Sequence, residues 1–135
     1  DGWQRARAEF TNYKRRVDAE RTELAASAGA EALKRVLPVV DDIERAVQTL
    51  PEDLKDNPWT NGMLMVQRKL NAALEQSGIK LIVVNPGDAF DPKVHEAVTH
   101  EDSEQFDSEQ IIGEVQRGYK LGDRVLRPAM VRVAR

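Results

Sequence analysis

The chain has 135 residues, enough for one domain of ordinary size or for a helical element carrying a small domain, and its 32% charged and 5% aromatic residues favour exposed helix over a large enzyme core. Lys and Arg number 20 against 23 Asp and Glu, a net charge of -3, so no global positive field is present to gather nucleic acid. The absence of Cys excludes disulfides and thiolate metal sites, and no apolar stretch approaches the roughly 20 residues that a membrane-spanning helix needs. An elongated, soluble protein is expected. Because the sequence opens at Asp1 in a charged helical pattern, with neither a Met nor a signal-peptide pattern, a longer N-terminus is also expected.

The first element is a helix. Trp3, Phe10, Val17 and Leu24 recur at one heptad position, with Ala6 and Tyr13 at the other, and a spacing near 3.5 residues implies a seam for another helix to cover. Charged residues fill the remaining faces, so the seam's partner is either a fold-back of this chain or a second copy. The run AASAGAEA (Ala25 to Ala32) breaks the seam, and the next apolar set, including Leu33, Val36, Leu37, Val40 and Ile43, is out of phase with the first. Pro38 is expected to kink or interrupt the helix about one turn earlier. A helix persisting from residue 3 to 49 would be about 70 Å long.

PEDLKDNP (Pro51 to Pro58) reads as a turn, with Asn57 and Pro58 as N-cap and first residue of a second helix. Trp59, Met63, Val66 and Leu70 follow at helical spacing, and Gly78 stops the helix at about residue 77. Beyond Gly78 the period becomes that of strands: IKLIVV, HEAVTH, QIIGEV and GYKL, with Gly122 and Asp123 turning the chain into RVLRPAMVRV. The expected fold class is α+β, with a helical region over 1–78 and a small all-β domain over 79–135.

Sites for chemistry are scarce. His95 and His100 in HEAVTH stand five apart on an apparent strand, which puts them on opposite faces, whereas a helical zinc site needs a spacing of four. NPGDAFDP lacks the lysine and helix start of a phosphate loop, and no Ser or Thr stands in a nucleophile setting. Asp41 and Asp42 point in different directions on a helix and read as a polar face. Lys14, Arg15 and Arg16 are interleaved with acids and lack aromatic stacking partners, which favours a solvated face. Neither an enzyme nor a cofactor is expected. The closing GYKLGDRVLRPAMVRVAR sets Arg124, Arg127, Arg132 and Arg135 among apolar residues, and by itself allows a nucleic-acid strip, a protein-docking edge or a solvated strand face.

Four stretches carry a resemblance that covers essentially the whole chain. RARAEFTNYKRR, LPVVDDIERAV, FDPKVHEAV and GYKLGDRVLRPAMVRV together resemble the GrpE family, nucleotide exchange factors of DnaK-type chaperones. The resemblance implies a parallel homodimer with paired long helices, a four-helix bundle built from the shorter helices of both chains, and a β wing on each side. It implies a heat-shock co-chaperone of the bacterial cytoplasm or an organelle matrix, whose wing opens the chaperone's nucleotide cleft and makes or breaks no bond. No nucleic-acid or membrane partner is implied.

By the same resemblance Val115, Arg117, Arg124 and Val133 face the chaperone, and Arg15, Arg45 and Gly62 add secondary contacts. Phe90, Asp91, Pro92, Gly118, Tyr119 and Arg127 build the wing. The dimer seam takes Trp3, Phe10, Tyr13, Val17 and Leu24, with Leu37 and Val40 further along. The AASAGAEA run is short of large and basic side chains, so no chaperone contact is expected there, and it is expected to unzip on heating as a thermal switch. The competing expectation is a coiled-coil adaptor with a β interaction module.

Overall fold

In the computed structural model, which describes residues 1–135, helix α1 runs from Gly2 to Gln48 without a break. Pro38 lies inside it, so of the kink or interruption expected from the sequence the interruption does not occur. A proline within a helix costs about 3 kcal/mol or more. Leu37 and Val40 on either side are only 0% and 5% exposed, and burying two such side chains, at about 1.5–3 kcal/mol each, offsets that loss.

Two compact units divide within this helix, Asp1–Arg35 and Val36–Arg135. The first is helix alone. Its Trp3, Phe10, Tyr13 and Leu24 are 54 to 71% exposed, and Val17 is half-buried. Arg7 lies over the Trp3 ring and Arg16 over the Tyr13 ring, each 5.5 Å from the centroid.

The second unit continues α1, makes a short 3₁₀ turn at Glu52–Leu54 and enters helix α2 (Pro58–Gln76). The Asn57 side chain accepts the Trp59 N–H at 2.9 Å, and Pro58 occupies the first turn, where its missing N–H has no partner to lose. Gly78, at φ +89°, takes the left-handed conformation that ends the helix.

Six strands follow: β1 (Ile79–Ile82), β2 (His95–Glu101), β3 (Ile111–Gln116), β4 (Gly118–Leu121), β5 (Arg124–Arg127) and β6 (Ala129–Ala134). They form two three-stranded sheets, β1-β4-β5 and β2-β6-β3. The first is antiparallel throughout, whereas in the second β2 runs parallel to the central strand β6. Gly122 (φ +60°) and Asp123 make the β4–β5 turn. Pro128 separates β5 from β6, so the closing segment serves both sheets instead of forming one strand. The core gathers Ile82, Ile111, Ala129, Val131 and Val133, with Phe90, Val94 and Val125 packed against it. The long N-terminal helix and C-terminal sheets make the chain α+β.

Candidate protein-docking site

Asp41 and Glu44 stand three residues apart in the last turns of α1, a spacing that puts both carboxylates on one face of a helix. Both meet arginines of the β region, one in a strand and one between strands. Arg127 donates from Nη1 to Asp41 Oδ2 and from Nη2 to Asp41 Oδ1, each at 2.6 Å, in the bidentate geometry that fixes angle as well as distance. Its Nε donates to the Arg117 carbonyl at 2.8 Å, and its guanidinium lies 5.3 Å from the centre of the Tyr119 ring. The side chains of this pair are 11% and 19% exposed. Arg117, between β3 and β4, pairs with Glu44.

Beside these pairs an open cleft of about 510 Å³ lies between the end of α1 and β3, its walls including Arg45, Glu114, Val115 and Arg117. Val115 is 58% exposed on its rim. Burial raises the Glu114 carboxyl above its ordinary value; Arg117 and Arg127 oppose the rise and Glu44 adds to it. Burial likewise raises the Tyr119 hydroxyl, against Arg117 and Arg127 and with Glu44 and Asp41. Both carboxylates on this face of α1 are thus engaged by arginines. No group of three or more His, Cys, Asp or Glu side chains is placed to hold a metal. His95 is buried, with Nδ1 accepting the Asp91 N–H at 2.9 Å, while His100 is exposed.

Of the residues expected to face a chaperone, Val115, Arg117 and Arg45 line this one cleft, Arg45 also pairing with Asp42 at 3.2 Å. Arg124 opens β5 and is half-buried and engaged, and Arg15 is exposed in the first unit. Val133 is fully buried, which corrects its expected place on the docking face: β6 is a central strand, and Ala129, Val131 and Val133 alternate into the core. Leu37 and Val40 need the same correction, since burial within one chain leaves them little surface to offer a second copy.

A Cβ at Gly62 would meet nothing within 4 Å, so no neighbour within this chain requires glycine there. Phe90 packs on the core, Asp91 accepts the Lys93 N–H at 3.0 Å and the Val94 and His95 amides, and Pro92 is exposed in the same turn. Gly118 and Tyr119 are buried in β4. The sequence reading missed Asp41 and Glu44 as anchors of the sheets. The available signal was that they share a helical face with the apolar Leu37 and Val40.

No helix is long and apolar enough to cross a membrane. The GrpE family model matches residues 1–135. Curated proteins named Protein GrpE from Staphylococcus aureus strains JH9 and Newman are each 43% identical over 126 residues, which is 93% of this chain and 60% of theirs. The chain thus spans about three-fifths of the length of these relatives.

Proposed function

We propose, because the chain belongs to the GrpE family, that it is a nucleotide exchange factor binding the ATPase domain of a DnaK-type chaperone and accelerating ADP release. The observation that carries this reading is the family match over the whole chain. The exposed Val115 beside Arg117 and Arg45 supports it with an apolar contact rimmed by cations, a composition suited to a protein partner.

The action needs no chemistry on this chain. A factor that binds the open, nucleotide-free chaperone more tightly than the closed form shifts the equilibrium by that difference and no more. By linkage, nucleotide weakens the factor's hold in the same ratio, so exchange and release are one coupling. A ratio of about 100 requires roughly 2.7 kcal/mol of differential contact, within reach of a few well-packed residues.

Residues 1–78 serve dimerisation and residues 79–135 form the wing. The exposed Trp3, Phe10, Tyr13 and Leu24 support a parallel homodimer, and exposed Trp59, Met63 and Val66 on α2 support a bundle with a second copy. The alanine-rich run makes the first unit the place to unzip on heating, in the bacterial cytoplasm where such a co-chaperone works.

The test is the release rate of a fluorescent ADP analogue from a purified DnaK-type chaperone, with this chain, with Val115→Asp and with Arg124→Ala. Acceleration by the chain that both variants lose is the expected result. A folded dimer that leaves the rate unchanged would refute the exchange-factor reading and favour a coiled-coil adaptor.

A further inference from the structure

We infer that Asp41 is a positioning residue: through Arg127 it fixes the sheets on the end of α1 and holds the Val115–Arg117 segment in the geometry a partner meets. The connection is short and continuous. Three donors of one guanidinium are committed, two to Asp41 and one to the carbonyl of Arg117, which is two residues from Val115. A planar fork joined to a carboxylate at 2.6 Å on both arms sets orientation, which a single hydrogen bond would not. Tyr119 stacks on the guanidinium and limits its travel. Apolar packing does not duplicate this link on the cleft side, because an open space of about 510 Å³ lies there between α1 and β3. Glu44 holds the Arg117 side chain by a second, more exposed pair, so the same loop is tied by backbone and by side chain to carboxylates three residues apart. Asp41 touches no partner in this scheme; it acts through Arg127 and through the longer bond it accepts directly from Gln116 Nε2, at 3.4 Å, within the same segment.

The inference rests on the exchange-factor reading, and its test separates the two. Asp41→Asn keeps the side-chain shape and removes the charge, and Arg127→Lys keeps the charge and removes the fork. Each is assayed in the full chain for maximal acceleration of ADP-analogue release and for the concentration giving half of it. The chain has no Cys, so spin labels at Thr49→Cys, just past α1, and Ser108→Cys, in the turn before β3, report how the end of α1 sits against the sheets, with labelled chain diluted in excess unlabelled chain. The expected result is a maximal acceleration lowered about tenfold, the scale of an ordinary coupling between sites. Half-saturation should change less than twofold, the distance distribution should broaden, and the circular-dichroism spectrum should not change. Wild-type acceleration by Asp41→Asn would overturn the inference, as would a lowered rate with an unchanged distance distribution. If Asp41→Asn does not fold, Arg127→Lys decides on the same criteria. If the unsubstituted chain accelerates nothing, the exchange-factor reading fails, while the spin labels still decide whether Asp41 fixes the sheets.

Discussion

Gly118 and Ala129 pass so closely that a Cβ on Gly118 would be pressed against the Ala129 amide nitrogen and would lie 2.8 Å from the Pro128 carbonyl carbon. Backbone atoms obstruct it, so no side-chain rotation relieves the contact, and β4 and the start of β6 would have to separate. Gly118→Ala is therefore expected to lower stability by about 1–3 kcal/mol, the usual range for overpacking. Urea denaturation checks this; an unchanged midpoint would show that the two strands can part freely.

Gly62 presents the opposite case. Open space surrounds the position a Cβ would take, and glycine within a helix is about 0.5–1 kcal/mol less favourable than alanine. Gly62→Ala is expected to raise the melting temperature of dilute protein. A fall in melting temperature, growing with protein concentration, would instead show that a second copy packs against that face of α2.

Burial separates two β-branched positions that look alike in sequence. Ile111 is 0% exposed and Val83 is 68% exposed. Ile111→Ala should cost about 2–5 kcal/mol through lost transfer energy and the cavity left behind. Val83→Ala should stay within about 0.5 kcal/mol. Equal losses in chemical denaturation would contradict the core drawn around β6.

Glu114 predicts a pH dependence with a definite sign. Burial raises its carboxyl above the ordinary 4.5, so the folded chain binds that proton more tightly than the unfolded chain. The resulting stability is present below pH 4.5 and is lost as pH rises through the higher folded value. Glu114→Gln should remove this contribution, so its stability relative to the parent rises between pH 4 and pH 7. Glu114 is exposed as a residue and its carboxyl only partly buried, so solvent screening keeps the effect small. Denaturation midpoints at the two pH values test it; a variant that loses ground toward pH 7 reverses the sign.

The helices and the β4–β5 turn were legible because their signals are local: Asn57 and Pro58 to begin α2, Gly78 to end it, and Gly122 with Asp123 to turn. The uninterrupted course of α1 through Pro38 was not, because the burial of Leu37 and Val40 that offsets the proline is tertiary. Pairing of β2 with β6 in parallel was equally hidden, since it joins residues more than thirty positions apart and no turn announces it. Period-2 alternation shows that Val131 and Val133 share a face, but not that the face is covered. Asp41 looks like half of a polar face with Asp42, because nothing local distinguishes the two and the partner Arg127 lies 86 residues away.

The aromatic and apolar seam of the first unit gives the last prediction. Trp3, Phe10 and Leu24 are each about two-thirds exposed or more, and leaving such side chains in water forgoes roughly 1.5–3 kcal/mol apiece. A helix at this level of exposure gains little from tertiary packing, the main source of helix stability in proteins, so its helicity should depend on a second copy. Self-association is therefore expected to tighten the helix, and the helical circular-dichroism signal should rise with protein concentration. Phe10→Asp places a charge in the seam and should weaken association at least about tenfold, since about 1.4 kcal/mol suffices for that factor. Sedimentation equilibrium measures it directly. A chain that sediments as a monomer at high concentration, or a Phe10→Asp variant that associates as tightly as its parent, would mean that these side chains do not form the seam.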